Sequence, residues 1–427
     1  MTPTDSPAPD GANFDAIWRI ESPKLVASLT RLVRDLGRAE DLAHDAVVVA
    51  LQRWPESGVP ENPGAWLLAT ARNRALDLQR RDKLLERKHS KLARDLDRMQ
   101  RIEPDLGAAL DDDFGDDLLR LVFTACHPVL PTEARVALTL RLVGGLATDE
   151  IARAYLVPEA TIAQRIVRAK RTLADKGVPF EVPRGAELGA RLASVLAVIY
   201  LVFNEGYSAT SGGEWLRPEL CEDALRIGRI LAGLAPDEPE VHGLVALMEV
   251  QQSRARARVA VGGEPILLLE QDRSRWDRLL IGRGLAALAV AQRLGGANGP
   301  YALQAAIAAC HARARTAAET DWARIASLYG TLARVTPSPI VELNRAVAVS
   351  MAEGPAAGLA LVDQLRSEPS LAGYHLLPSI RDNLLMKLGR RDEARREFER
   401  AASLTRNERE RTLLLARALP PDRPSGA

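Results

Sequence analysis

The sequence predicts an all-α protein, and three observations carry that prediction. Apolar residues recur at three- and four-residue spacing along almost the whole chain, as on helices that bury one face. Alternating β-branched runs bounded by turn dipeptides are nearly absent. Late in the chain, Asn344 to Leu365 and Ile380 to Ala401 read as two copies of one helix-turn-helix unit, with Gly354 and Gly389 in equivalent turns.

The elements follow in order. Residues 1–12, rich in Pro and short polar side chains, are expected to be disordered. Leu25, Leu29, Leu32, Val33 and Leu36 form one helical stripe that should end at Gly37, and Ala39 to Trp54 form a second helix that Pro55 should stop. Pro63 suits the first turn of a third helix, which runs into a charged stretch ending near Lys91. Residues 92–115 are acidic and punctuated by Pro and Gly, as a linker would be. A second helical block spans 116–177, and VPFEVPRG at Val178 to Gly185 reads as the next boundary. Residues 178–427 then form a longer helical series. There Ala394, Phe398 and Ala401 have the small, aromatic and small spacing that lets repeat helices pack closely.

With 427 residues, 26% charged and 47% hydrophobic, the chain is long enough for two or three cores. A formal charge of +1 excludes a uniformly basic nucleic-acid coat, so local charge has to be counted by segment. Cys126, Cys221 and Cys310 are far apart, match no metal-ligand spacing and cannot all pair, which fits a reducing, cytoplasmic setting. The apolar run Leu192 to Phe203 is too short to span a bilayer, and the N-terminus lacks the regions of a signal peptide, so no membrane association is expected.

Two segments carry chemistry. Gly145 to Leu173 reads as a helix-turn-helix: Thr148 caps the first helix, Leu156 to Pro158 form the turn, and Ile162, Ile166 and Leu173 face inward in the second helix. That register leaves Thr161, Gln164, Arg165, Arg168 and Arg171 on the open side, where major-groove reading needs donors. An αα-hairpin with a solvated basic face is the alternative. Arg72 to Lys91 holds eight Lys or Arg against three acids, with Trp66 and Asn73 just upstream. Phosphate attraction, base stacking and base-edge contact need those groups, although Trp66 alone equally suits a core.

Taken together these blocks resemble the extracytoplasmic-function sigma factors of bacterial RNA polymerase. Glu40-Asp41-Leu42-Ala43-His44-Asp45 looks like the family's polymerase-binding stretch, with His44 where Gln is common and Val47 where an aromatic is common. The resemblance implies that Asp41, Leu42, His44 and Asp45 contact core polymerase at its beta-prime clamp. Asn62 to Arg81 is similar to the promoter-melting and minus-10 segment, which implies DNA contacts for Trp66, Arg72, Asn73, Arg74, Asp77, Arg80 and Arg81. Residues 13–91 would then be region 2, 92–115 the connector and 116–177 region 4, whose Thr161, Gln164, Arg165, Arg168 and Arg171 would read the minus-35 duplex.

LVFNEGY at 201–207, RPEL at 217–220, LLEQDRSRW at 268–276 and the terminal NERERTLLLAR resemble the subgroup with a tetratricopeptide-like C-terminal domain, often called group 42. That resemblance implies regulation by the fused domain and a small DGPF- or YCII-like protein as partner. Contacts of the regulatory domain are expected from Asn204, Glu205, Tyr207, Asp272, Arg273 and Trp276, although the last three equally suit closure of a turn. Leu413 to Leu415 suits either a docking helix or a cap of the repeat array. No HExxH, GxSxG, CxxC or phosphate-loop pattern accompanies the polar residues, so the reading is of a non-enzyme without cofactor. A helical protein-binding scaffold and an operator-binding regulator are the rival functions. Neither needs Glu40 to Asp45 beside Asn62 to Arg81.

Overall fold

The computed structural model describes residues 11–89, 114–155, 157–207, 217–260 and 266–404. Its described residues form 17 α-helices, joined by turns and short 3-10 segments. The chain divides into two compact units, Met1–Ile199 and Tyr200–Ala427. The division falls inside a helix, beyond the Val178 to Gly185 stretch expected to mark it.

In the first unit α1 (Gly11–Val33), α2 (Leu36–Ser57) and α3 (Pro63–His89) pack together. Gly11 and Ala12, expected to be disordered, are already helical. The break between α1 and α2 comes at Arg34, with φ 54, and Asp35, whose side chain caps α2 by accepting from Arg38 N–H at 2.8 Å. A capping carboxylate thus sets the boundary, and Gly37 lies inside the first turn of α2. Pro55 does not end α2 either. It sits in the last turn, where its missing N–H costs α2 the bond to Leu51 O without ending it, and the helix closes at Gly58 with φ 77. The core here is Leu25, Leu29, Leu42, Ala46, Leu67 and Trp54, the last 1% exposed and packed against Phe14 and Trp66.

Helices α4 (Phe114–Ala125), α5 (Thr132–Leu142), α6 (Thr148–Tyr155) and α7 (Glu159–Asp175) complete the unit around Leu121, Phe123, Leu138, Leu140, Ile151 and Ile162. This second group packs directly on the first, α1 against α4 and α5. Arg31 Nε meets the buried carboxylate of Asp117 at 3.1 Å.

Helix α8 (Ala186–Tyr207) outruns the apolar stretch seen in the sequence at both ends, and by length and composition it is long enough to cross a membrane. Its first half is nonetheless fixed by polar groups of the protein. Arg191 donates to Phe123 O at 3.0 Å, and Ser194 Oγ donates to Cys126 O at 2.9 Å.

The second unit continues with α9 (Pro218–Leu234), α10 (Pro239–Gln252), α11 (Arg278–Arg293), α12 (Pro300–Arg313), α13 (Trp322–Val335), α14 (Pro339–Glu353), α15 (Pro355–Gln364), α16 (Leu376–Lys387) and α17 (Arg391–Leu404). Sequence neighbours pack pairwise. The two repeat copies fold as α14–α15 and α16–α17, with Gly354 at φ 105 and Gly389 at φ 76 in the turns. Ala394, Phe398 and Ala401 are buried, as their spacing requires. The terminal leucine run lies outside the described residues.

Candidate nucleic-acid interface

The second helix of the helix-turn-helix presents a continuous open stripe. On α7, Ile162, Ile166, Ala169 and Leu173 are buried at 5% exposure or less. The opposite face carries Gln164, Arg168 and Arg171, all exposed, flanked by half-buried Thr161 and Arg165. Val167, which sequence reasoning passed over, is 63% exposed in the middle of this stripe. Its position between Gln164 and Arg171 follows from helical spacing, and an apolar side chain there suits a thymine methyl group. Arg171 pairs with Asp175 at 3.5 Å, both highly exposed, an interaction too weak to hold the arginine from a phosphate.

The start of α6 is built differently from the expectation. Thr148 is the first helical residue, and the cap is completed by Glu150, which accepts the N–H of Ala147 at 2.7 Å. Glu150 also pairs with Arg19 of α1. Next to it Gly145, at φ 70, approaches α1 closely: a Cβ there would lie 3.2 Å from Arg19 Cα and 3.1 Å from Ser22 Oγ. Any side chain at 145 would push α1 and the α5–α6 turn apart.

On α3, Trp66, Thr70, Asn73 and Asp77 share a face. Trp66 is half-buried, with its ring 5.5 Å from that of Trp54, so part of it belongs to the core. Asn73, Arg74 and Asp77 are exposed and Arg72 is half-buried. The side chains of Arg80 and Arg81 lie outside the described residues.

The four residues expected to meet polymerase lie in four different environments. Asp41 is exposed, and on the same helix Val48 and Leu51 are 52% and 53% exposed, apolar groups that the sequence reading did not single out. Leu42 is 3% exposed, a core residue that cannot reach a partner in this arrangement. Asp45 Oδ2 accepts from Arg74 Nε at 2.8 Å, so an expected polymerase contact and an expected DNA contact hold each other.

His44 is tied inward. Its Nδ1 lies 2.9 Å from Glu40 O and its Nε2 2.8 Å from an Arg141 NH2 group. Arginine only donates and a carbonyl only accepts, so the ring is the neutral tautomer protonated at Nδ1. Trp18 packs on its other side at 5.4 Å between ring centroids.

Glu40, 6% exposed, is the centre of this cluster. Its carboxylate accepts from Arg141 Nε at 2.7 Å and from Lys170, on the same helix as the open stripe. Burial pushes the Glu40 carboxyl up, but the charges and hydrogen bonds of Lys170 and Arg141 outweigh it and hold it below 4.5. A single buried carboxylate on α2 therefore binds cations from α5 and α7.

In the second unit, Asn204 bonds Tyr200, Glu205 pairs with Arg217, and Tyr207 stacks on Phe203. Asp272 is exposed and caps a 3-10 turn, accepting from Ser274 N–H at 2.9 Å. Arg273 is buried, donating to the carbonyls of His311 and Ala314 at the end of α12, and Trp276 is 3% exposed. The QDRSRW segment thus closes a turn within its own unit, and Arg273 and Trp276 have no face left for an outside contact.

Comparison with known proteins finds three family matches. Residues 17–84 match sigma-70 region 2, and residues 120–173 match sigma-70, region 4. Residues 191–292 match a family of unknown function, DUF6596. An uncharacterized protein of Rhizobium meliloti (strain 1021) is 46% identical over 387 residues, 90% of each chain. No solved structure matches.

Proposed function

We propose, from the matches of residues 17–84 to sigma-70 region 2 and of residues 120–173 to sigma-70, region 4, that the chain is a cytoplasmic sigma factor of the extracytoplasmic-function type, gated by its own helical C-terminal unit. The observation that carries this reading is the open stripe Gln164, Val167, Arg168 and Arg171 on α7, in the chain that also presents Asn73 and Asp77 on α3. Gln164 suits an adenine edge, Val167 a thymine methyl group, and the arginines suit guanine or phosphate. Asn73 and Asp77 would hold unstacked bases, offsetting base-pair opening of about 1.4 kcal/mol per step. Core polymerase would supply the bond chemistry, and Asp41 with Val48 and Leu51 would form the surface docked on its beta-prime clamp.

Promoter elements near −10 and −35 lie about 25 base pairs apart, roughly 85 Å of duplex. A compact unit of this length is on the order of 40 Å across. With α3 and α7 in one such unit, both elements are reached only after region 4 separates from region 2. The Glu40 cluster with Arg141 and Lys170 is then the latch of a closed form, and polymerase binding opens it. The group-42-like, tetratricopeptide-like character of the second unit, and a DGPF- or YCII-like partner acting on it, belong to the same proposal.

The test is affinity for core polymerase. Asp41→Arg and Val48→Asp should each weaken binding while leaving the melting curve unchanged, because both side chains are exposed. Unchanged affinity in both variants would remove this surface from the account.

A further inference from the structure

Among the described arginines of the second unit that are not exposed, Arg217, Arg226, Arg345 and Arg381 each meet a carboxylate. Arg229 meets Glu249 at 2.8 Å, and Arg381 meets Asp363 at 2.8 Å and Glu397 at 2.9 Å. Arg254, Arg258 and Arg273 break that pattern, with no carboxylate within ion-pair distance among the described residues. They gather around two rings. Arg258 Cζ lies 3.6 Å from the centroid of Tyr207, Arg254 Cζ lies 5.8 Å from the same ring and 5.7 Å from Trp276, and Arg273 Cζ lies 5.1 Å from Trp276.

The three cations differ in what they have left to give. Arg273 is 5% exposed and spends its terminal nitrogens on His311 O, Ala314 O and Thr320 Oγ1 at 2.7 to 2.9 Å. It is a clamp on the end of α12. Arg254 gives one bond to the Tyr207 hydroxyl, and Arg258 gives one to Tyr207 O. Among the described residues neither has a further hydrogen-bond partner for its five donors, and each is only half-buried. Among the described residues Arg273 Nε and Trp276 Nε1 are buried donors without a partner, and His311 Nδ1 is buried without one as well. Glu319, the carboxylate facing Arg273 at longer range, instead accepts the N–H of Arg315 at 3.1 Å.

Gathered cations that lack a carboxylate among the described residues repel one another until an anion joins them. The field shows in His311, which burial, with Arg254 and Arg273 beside it, pushes down to about 4. Cation–aromatic contacts orient the guanidinium groups but do not neutralise them.

The geometry points to an oxyanion site: Arg254 and Arg258, presented by Tyr207 and Trp276, bind the carboxylate or phosphate group of a small molecule. All four residues fall within the segment matching a family of unknown function. The site does not rest on the initiation reading, and its test involves neither polymerase nor DNA.

The full chain is titrated calorimetrically, and its melting followed, with inorganic phosphate and with citrate at constant ionic strength, sodium chloride serving as the control. Saturable binding of either anion is expected, with a rise in melting temperature that chloride does not reproduce. The preferred anion tells phosphate from carboxylate chemistry. Arg254→Gln and Arg258→Gln should each weaken binding about tenfold or more, the loss of one charged hydrogen-bond donor set. Their melting in chloride should match or exceed that of the parent. If Arg258→Gln fails to fold, Arg254→Gln carries the comparison, since Arg254 bonds only a side-chain hydroxyl whereas Arg258 holds the backbone carbonyl of Tyr207. No binding of either anion by the parent, or equal affinity in the folded variants, overturns the site.

Discussion

Replacing Glu40 by Gln should release region 4 from region 2. The carboxylate is 6% exposed and is the shared acceptor for Arg141 and Lys170. Removing one partner of a buried ionic cluster costs about 3 to 5 kcal/mol, because the remaining charges stay desolvated without compensation. Gln keeps one acceptor for Arg141, so we take the lower end, about 3 kcal/mol, which shifts the docked-to-open ratio roughly 100-fold. Two readouts follow from that number. Melting of the first unit should fall, and affinity for a minus-35 duplex, measured by fluorescence anisotropy at fixed salt, should rise, because Lys170 and α7 are no longer held against α2. Lys170→Met should act in the same direction, and the double variant should show less than the sum of the two effects. Unchanged melting together with unchanged DNA affinity would refute the latch. A fall in both would show that Glu40 supports the fold of α7 and not its docking. The same group sets an acid limb. A folded-state pKa below 4.5 means the contribution is fully present above 4.5 and is lost as pH falls through the lower folded value.

Three further outcomes are expected. In promoter selection, Gln164→Ala should change minus-35 preference at a cost of about 1 to 3 kcal/mol for the preferred base, whereas Arg168→Ala should weaken all sequences alike and lower the salt slope by about one. Gly206→Ala should destabilise the second unit by about 1 to 3 kcal/mol, because a Cβ there would lie 2.7 Å from Cys221 N and 2.8 Å from Arg217 O, backbone atoms that cannot step aside; equal melting of the variant would contradict the packing. His311, down to about 4 from 6.5 in the folded chain, makes the unfolded state the better proton acceptor, so stability should fall as pH drops from 6.5 to about 4, by on the order of 3 kcal/mol. His311→Gln should flatten that limb of the melting-temperature profile.

The sequence made the open face of α7 readable because burial of Ile162, Ile166 and Leu173 fixes the helix register, and register alone decides that Gln164, Arg168 and Arg171 point outward. It also made the α14–α15 and α16–α17 pairs readable, since Gly354 and Gly389 mark turns with positive φ. Helix ends were less legible. Gly37 and Pro55 are strong local signals, yet the Asp35 cap set the start of α2 and the helix ran past Pro55 to Ser57. Least legible was Glu40, whose partners Arg141 and Lys170 are about a hundred residues or more away in the chain, at positions that nothing local distinguishes. The same holds for Arg254, Arg258 and Arg273, which only the fold gathers around Tyr207 and Trp276.

Transcription by core RNA polymerase with and without the full chain, on a library of randomised promoters, decides whether the chain directs initiation. Transcripts are expected only with the chain present, sharing one minus-10 and one minus-35 sequence, the latter altered by Gln164→Ala. Polymerase that neither binds the chain nor initiates at any shared sequence in its presence would contradict that expectation.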